Sequence, residues 1–427
     1  MSAQAESAKI AFRHYCRRFF IHPLSKNVQL PSFDLAIVIP SCGENHLQTT
    51  LSSLFQNAVP QDFRVLVLVV INHSKDAAEE IKIQNAADAA ALQHLAPGQP
   101  NFLLQVLDAR ELEDRNAGVG LARKLGMDAC ILSLSERGSN PFLVCLDADC
   151  RVSPLYITRL QEISQMPDAE VLTIGFWHPA DEEQDAELLS GIRNYELFLE
   201  YYRLGLAQAG YPFFQHTVGS SMACRALPYV RSGGMNQRKA GEDFYFLHKL
   251  FPHYHSVDLP ESLVFPSARI SERVPFGTGR FQQSWKKEKK KELITYHPDV
   301  FEGLRLLLQG LEKSLKDPVY DAHLHAFMHW HPEAGPYAKQ ENIPAILEQI
   351  RKASPGIPAR RKALYRWMDG LRVLKFVHYF RTFFPDMEVG EALCRLLPEA
   401  RLRPAPEDRV QMVRGFLADK LRRNRSF

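Results

Sequence analysis

The chain has 427 residues, of which 45% are hydrophobic and 24% are charged, and its formal net charge is +3 at pH 7. This length predicts two or three domains, and the small net charge excludes the strongly basic class of nucleic-acid-binding proteins. No apolar run approaches the roughly 20 residues of a membrane-spanning helix, and no secretory signal core follows the basic N-terminal residues. Seven scattered cysteines without a C-x-x-C pair favour a reducing compartment over disulfides or zinc. We expect a cytoplasmic protein that is soluble or, at most, peripheral at the inner face of a membrane.

The predicted elements begin after a polar, basic N-terminal extension, residues 1–32. Apolar β-branched runs then alternate with stretches of helical periodicity. They predict strands at 35–39, 65–71, 102–107, 142–146 and 171–176, and helices at 47–58, 116–134 and 188–202. This alternation predicts an α/β fold with a mostly parallel, Rossmann-like central sheet and helices on both faces. The strand signals stop after residue 283, so we expect a sheet domain over 33–280 and a helical C-terminal region over 281–427.

Two aspartates follow the fourth predicted strand, in the segment LVCLDADCRVSP (143–154). Side chains at the carboxyl end of a parallel strand emerge where open α/β sheets bind ligands. A hard divalent cation would relieve the repulsion between Asp147 and Asp149 and would also bind phosphate oxygens. The pair therefore indicates a site for Mg²⁺ or Mn²⁺. Aspartate is also common in turns that end strands, so a purely structural role stays open.

Two other motifs carry candidate chemistry. In the segment GEDFYF (241–246), Asp243 is a candidate general base, a role that typically contributes about 10²–10⁴-fold to a rate. The same acids would also suit the positive end of a helix dipole. In GVGLARK (118–124), small residues and two cations at a helix start suit a diphosphate, although a solvated helix start has the same composition.

Five segments in this order resemble the family 2 glycosyltransferases, which share the nucleotide-sugar-binding fold called GT-A. They are IVIPSCGENHLQTTLSSL (37–54), VLVLVVINHSKD (65–76), GVGLARKLGMDA (118–129), LDADCRVSP (146–154) and HTVGSSMACRALPYVRSGGMNQRKAGEDF (216–244). The resemblance covers roughly residues 33–265 and is to the soluble, bacterial type of member. It implies an inverting, hexosyltransferase-like enzyme that uses Mn²⁺ or Mg²⁺ and a nucleoside-diphosphate-sugar donor. The acceptor would be a hydroxyl group, of a glycan or a lipid-linked molecule for example.

The resemblance also implies a role for each matching residue. The residues implied at the donor are Pro40, Glu44, Asn72, Arg123, Lys124, Asp147 and Ser220. Asp149 would be the firmer metal ligand, with Asp147 beside it. Asp243 would be the catalytic base, and Glu242 would orient the donor or the acceptor.

The chain departs from the family pattern at Asn72-His73, where the family usually has an acidic residue, so the nucleotide base stays open. The family's Arg-Asn is Arg123-Lys124 here, and FQQSW (281–285) without membrane helices is not the motif of a polysaccharide synthase. In the loop 266–280, we interpret Arg269, Arg273 and Arg280 as part of a mobile lid whose arginines neutralise the departing diphosphate. A plain surface loop is the alternative.

The lysine run at 286–291 is open to two interpretations: a solvated helix face, or contact with an anionic membrane that carries a lipid-linked acceptor. Three other functions stay open as well. The strand-end aspartates also fit a haloacid-dehalogenase-like phosphohydrolase, although that class has the motif on its first strand. A nucleotidyltransferase would need a basic loop after the first strand, which SCGENHLQ (41–48) is not. A non-catalytic nucleotide-sugar-binding protein would not need the acidic motifs intact.

Overall fold

The structure is a computed structural model that describes residues 3–19, 21–113, 117–179, 185–238, 241–270, 277–289, 292–317, 319–403 and 405–423. The helices are α1 (Ala3–Arg18), α2 (Pro23–Lys26), α3 (Leu47–Phe55), α4 (Glu79–His94), α5 (Val119–Leu134), α6 (Tyr156–Ser164), α7 (Ala186–Gln208), α8 (Ala226–Arg231), α9 (Glu242–Leu250), α10 (Thr278–Lys287), α11 (Pro298–Ser314), α12 (Tyr320–Met328), α13 (Ala334–Gln340), α14 (Ile343–Ala353), α15 (Ile357–Trp367), α16 (Gly370–Arg381), α17 (Val389–Leu396) and α18 (Pro406–Arg423). The strands are β1 (Leu35–Ser41), β2 (Val65–Ser74), β3 (Phe102–Leu112), β4 (Phe142–Cys145), β5 (Cys150–Val152), β6 (Val171–Phe176), β7 (Met222–Arg225), β8 (Ser256–Pro266), β9 (Ile294–Thr295) and β10 (Met387–Glu388).

The chain divides into two compact units that are each built from two stretches of sequence. The first unit comprises Met1–Ala186 with Thr217–Gln283, and the second comprises Glu187–His216 with Ser284–Phe427. Most of α7 therefore belongs with the C-terminal helices. Among the helices that the structure describes, none is both long and apolar enough to span a bilayer.

The first unit is built on an eight-stranded sheet in the order β3-β2-β1-β4-β7-β6-β8-β5. The pairings β1–β2, β2–β3, β1–β4 and β6–β8 are parallel, whereas β7 runs antiparallel to both β4 and β6, and β5 runs antiparallel to β8. Every residue of β1 is buried, because helices such as α5 cover the sheet. The predicted α/β fold, a mostly parallel sheet followed by a helical C-terminal region, is confirmed.

The N-terminal residues, which the sequence predicts to be an extension, contain two helices that pack on α5. The hydroxyls of Tyr15 and Tyr229 both donate to the same carboxylate oxygen of Asp128, at 2.8 Å. The ammonium of Lys124 donates to Tyr15 and to the other oxygen of Asp128, at 3.0 and 2.7 Å. These four buried polar side chains satisfy one another, which is what allows them to lie inside the unit.

The second unit is helical apart from the two-residue strands β9 and β10, which pair antiparallel and which the sequence did not predict. It contains a buried charged cluster around Glu200 on α7, a side chain that is 1% exposed. The carboxylate of Glu200 accepts from the Arg203 guanidinium and lies against His216 Nε2, both at 3.1 Å, and it accepts from Arg414 Nε at 2.7 Å. Burial acts to raise the pKa of Glu200, but these three partners overcome it and lower the pKa below its usual range.

Candidate active site

The site is positioned by two adjacent parallel strands of the first unit. Strands β1 and β4 pair in register from Leu35↔Phe142 to Val38↔Cys145, so their carboxyl ends lie at the same edge of the sheet. Glu44 follows β1 there, and Asp147 and Asp149 follow β4. The hydroxyl of Thr50, on α3, donates to the carbonyl of Ala148 at 2.8 Å and fixes the turn between the two aspartates. This is the edge at which open α/β sheets bind ligands.

Arg123, on α5, is the buried centre of this site. Its side chain is 3% exposed, and its guanidinium forms ion pairs with Asp147 and with Glu242. Burial acts to lower the pKa of Arg123, but the two carboxylates outweigh it and raise the pKa. Gly219 lies directly against the guanidinium, since a Cβ at that position would stand 2.7 Å from Arg123 Cζ. A side chain at position 219 would therefore push the guanidinium away from its present place, where the loop before β7 crosses the arginine.

Glu242 and Asp243 open helix α9 and differ in their surroundings. Gly241, with φ of 70°, supplies the left-handed turn from which the helix begins. Glu242 is 2% exposed and faces Arg123. Asp243 is partly exposed, and its carboxylate accepts from the backbone N–H of Phe244 at 2.7 Å and from the backbone of Gly219. Burial raises the pKa of both acids, against the attraction of Arg123.

A second arginine reaches the other side of the acids. Arg269, in the segment after β8, forms ion pairs with Glu44 and with Asp149, the latter at 3.3 Å between Nη2 and Oδ2. Glu44 is buried, whereas 28% of the Asp149 side chain is exposed. Burial, and then the charges of Asp147 and Glu44, raise the pKa of Asp149 to about 6, against the effect of Arg269. The carboxylate of Asp149 therefore lies close to two other negatively charged groups.

Together these residues form what we call the acid cluster: Glu44, Asp147, Asp149, Glu242 and Asp243, with Arg123 and Arg269. Five carboxyl groups face two guanidinium groups, so the cluster has an excess of negative charge. Carboxylate oxygens are the ligands that Mg²⁺ and Mn²⁺ prefer. No three potential ligands in the described part of the chain converge into a complete metal-binding set. The cluster therefore fits a cation that one or two aspartates share with phosphate oxygens, which is the usual way in which Mg²⁺ binds.

The other residues predicted at the donor lie in different surroundings. Lys124 is not part of the acid cluster, because its ammonium is bound to Asp128 and Tyr15. Ser220 is 3% exposed, and its hydroxyl contacts the thiol of Cys150 next to Asp149. Pro40 is buried in β1, opposite Val70 of β2. Arg273 lies outside the described residues.

The predicted nucleotide-base turn is at the end of β2. Asn72 is 4% exposed, and its carbonyl accepts from the side chain of Asn85 at 3.0 Å. Beside it is a cavity of about 600 Å³, lined by His73 and Arg110 among others, but not by Asn72 or by any member of the acid cluster. Sequence reasoning placed Arg269 among the arginines of the loop after the acidic motif but did not predict its contact with Glu44 and Asp149.

The chain was compared with known families, curated proteins and solved structures. No protein-family model matches it, and no curated protein matches it in sequence. Among solved structures, it is similar to residues 1–349 of TarS from S. aureus in complex with UDP-GlcNAc, at 13% identity over 82% of this chain and 92% of that one, with a TM-score of 0.40.

Two further similar structures are a mannosyltransferase from Pyrobaculum calidifontis in complex with GDP-Man and Mn²⁺, and a glucosyl-3-phosphoglycerate synthase from Mycobacterium tuberculosis in complex with Mn²⁺ and UDP. The first has 14% identity over 97% of this chain and 95% of that one, with a TM-score of 0.37. The second has 12% identity over 65% and 89%, with a TM-score of 0.34. These likenesses are weak, so the function of this chain is argued from its own residues.

Proposed function

We propose that this protein is a metal-dependent glycosyltransferase that moves a sugar from a nucleoside-diphosphate-sugar donor to an acceptor hydroxyl with inversion at the anomeric carbon. The observation that carries the proposal is the acid cluster at the carboxyl end of β1 and β4. It combines an excess of carboxylates, the partly exposed Asp149 with its raised pKa, and two guanidinium groups within one site. This combination suits a doubly anionic leaving group and a hydroxyl that must lose a proton.

The donor side of the reaction needs compensation for negative charge. Asp149, with Asp147 beside it, would hold Mn²⁺ or Mg²⁺ together with the diphosphate oxygens. The ion, when bound, acts as a Lewis acid that neutralises charge on the leaving group. Arg123 holds Asp147 in place, because its buried guanidinium cannot leave the two acids it pairs with without an unfavourable loss of charge compensation.

The acceptor side needs a base, and the two acids of α9 are not equivalent for this task. Glu242 is buried and paired with Arg123, so we assign it to positioning that guanidinium. Asp243 is more exposed and has a raised pKa, which brings a carboxylate nearer to the proton affinity that general-base catalysis requires. Its carboxylate is oriented by N–H groups on two sides. In the proposed step, Asp243 takes the proton of the acceptor hydroxyl while the hydroxyl oxygen attacks the anomeric carbon of the sugar and the diphosphate leaves.

Direct attack by the acceptor on the face opposite the diphosphate would invert the anomeric carbon. The arrangement also disfavours a phosphohydrolase of the haloacid-dehalogenase type. In that class the first aspartate of the pair must attack a phosphorus atom, whereas Asp147 is ion-paired with Arg123. A carboxylate that is compensated in this way is a poorer nucleophile and a better structural anchor.

The test is a thermal-shift screen of UDP and GDP, each with and without Mn²⁺, on the wild-type chain and on Asp149→Asn. A ligand that binds only the native state stabilises it by about 2.7 kcal/mol at one hundred times its Kd. We expect one nucleoside diphosphate to raise the Tm of the wild type in a Mn²⁺-dependent way and to do so far less in the variant. If neither nucleotide shifts the Tm in the presence of Mn²⁺, or if both proteins respond equally, the proposal is wrong.

A further inference from the structure

We infer that Arg269 is a counter-ion that makes the binding of a divalent cation depend on the simultaneous binding of a nucleoside diphosphate. In the ligand-free site its guanidinium bridges Glu44 and Asp149 and contacts Oδ2 of Asp149, the carboxylate that we propose as the firmer ligand of the cation. A cation that arrives alone must displace it. A diphosphate that arrives with the cation offers the displaced guanidinium a new anionic partner. This inference rests on the proposed function, because it concerns the same metal and donor.

The two arginines of the acid cluster differ in their freedom to move. Arg123 lies near the start of helix α5, is 3% exposed, and lies against Gly219. Arg269 lies outside any helix or strand, and 27% of its side chain is exposed. The backbone of its neighbour Ala268 is tied down, since its carbonyl accepts from the side chain of Gln282 at 3.3 Å. The segment is therefore anchored, while the long side chain of Arg269 is free to exchange partners.

The charges explain why displacement by a cation alone would be unfavourable. Glu44 is 4% exposed, and a buried carboxylate is destabilised when the guanidinium paired with it moves away. A cation bound to Asp149 compensates the charge of that acid but repels the guanidinium of Arg269. When the diphosphate binds as well, its negative charge compensates both the cation and the guanidinium. Guanidinium groups bind phosphate oxygens in a two-pronged geometry, so this exchange is chemically matched.

Linkage makes the inference quantitative. If two ligands assist each other, each raises the affinity of the other by the same factor, typically about 5–150-fold. We expect the nucleoside diphosphate that binds to raise the affinity for Mn²⁺ by at least about tenfold in the wild type. In Arg269→Gln, Mn²⁺ alone should bind about tenfold more tightly than in the wild type, and the assistance from the nucleotide should shrink to about twofold. Arg269→Lys, which keeps the charge, should retain most of the coupling.

The experiment measures free Mn²⁺ by electron paramagnetic resonance during titrations of the full chain, with and without UDP or GDP. The matched control is Arg159→Gln, because Arg159 also bridges two acids, Glu162 and Glu261, but at the surface on α6. The control should bind Mn²⁺ as the wild type does. A double variant, Glu44→Gln with Arg269→Gln, removes both charges of this ion pair together and covers the case in which the single variant does not fold. It should also bind Mn²⁺ alone more tightly than the wild type.

The outcomes separate this inference from the proposed function. If the wild type binds Mn²⁺ with a nucleoside diphosphate, but Arg269→Gln or the double variant shows the wild-type affinity for Mn²⁺ alone and the same assistance from the nucleotide, the counter-ion role is wrong and the transferase proposal stands. If the wild type binds no Mn²⁺ with either nucleotide, both are wrong. Tighter binding of Mn²⁺ alone together with weaker assistance supports both.

Discussion

The acid cluster and the Glu200 cluster are both networks of buried or half-buried charges, but their balance is opposite. In the acid cluster five carboxyl groups share two guanidinium groups, and the pKa values of Asp149, Glu242 and Asp243 are raised. In the Glu200 cluster one carboxylate has two arginines and a histidine around it, and its pKa is lowered. The first arrangement lacks positive charge, and the second is complete without any ligand.

A binding site can be distinguished from a structural network by how completely its buried charges are compensated. Burying a charge is unfavourable unless an opposite charge or a hydrogen bond compensates it. A fold gains nothing from leaving several carboxylates under-compensated, so such a cluster suits the binding of a cation. A buried ion pair that is fully compensated is explained by the fold itself. Each of the following changes tests one side of this comparison, beginning with the largest effect.

Asp243→Asn should abolish most of the activity without preventing donor binding. The amide cannot accept the hydroxyl proton, so kcat should fall by about 10²–10⁴-fold. The Mn²⁺-dependent thermal shift with the nucleoside diphosphate should persist, since the acids near the cation are intact. Asp62→Asn, at an exposed position outside the cluster, is the matched control and should keep its kcat. A kcat for Asp243→Asn within about threefold of the wild type would remove Asp243 from the role of base.

Glu200→Gln should act on stability. The change leaves Arg203 and Arg414 in the second unit without their shared carboxylate, and breaking a buried ion pair in this way typically costs about 3–5 kcal/mol. The free energy of unfolding in urea should fall by that amount. Glu302→Gln is the control, because Glu302 pairs with Arg305 on the exposed surface of α11 and should contribute at most about 1 kcal/mol. Equal losses in the two variants would mean that the Glu200 cluster is no more than a surface-type network.

The pH dependence of the two clusters should have opposite signs in the ligand-free protein. Because the pKa of Asp149 is raised to about 6, the native state binds its proton more tightly than the unfolded state does, and this contribution to stability falls as the pH rises from about 4 to about 6. The lowered pKa of Glu200 stabilises the native state above the carboxyl's ordinary pKa, and that contribution is lost as the pH falls from the ordinary pKa to the lowered pKa of the native state.

Asp149→Asn should therefore stabilise the ligand-free protein near neutral pH and flatten its stability between pH 4 and 6. Because the side chain is partly exposed, we expect the free energy of unfolding near neutral pH to rise by roughly 1–2 kcal/mol. Thermal melts at several pH values in the presence of a chelator measure this effect, and Glu200→Gln serves as the control with the opposite trend. If Asp149→Asn is less stable than the wild type at pH 7 under these conditions, the acids of the site are not under-compensated as described.

The sequence was sufficient for the part of the fold that is set by continuous apolar runs. All five predicted strands are present. Strands β1, β2, β4 and β6 are buried over nearly their whole length, whereas most positions of β3 are only half-buried or exposed. Strands β5, β7 and β8 were not predicted. The first two have only three and four residues, and β8 is interrupted by Pro260 and Glu261, where its pairing with β6 shifts register. Apolar periodicity does not detect such strands.

The site was predictable where one segment carries its own signal, as the aspartates after β4 and the acids that open α9 do. Arg123 and Lys124 show the limit of prediction from local sequence. Adjacent helical residues point about 100° apart, so Arg123 reaches the acids while Lys124 reaches Asp128. No local pattern in the sequence decides which of the two faces the site. The contact between Arg269 and Glu44 joins residues 225 positions apart, and only the sheet and its loops bring them together.

The hydrogen bonds among Tyr15, Lys124, Asp128 and Tyr229 have a practical consequence for any shortened form of this protein. They attach the first helix to the same turn of α5 from which Arg123 projects toward the acids. Deleting α1 would leave an ammonium and a carboxylate at a newly bared surface and would loosen the helix that aims the guanidinium. The opening residues thus help to position Arg123 in the acid cluster.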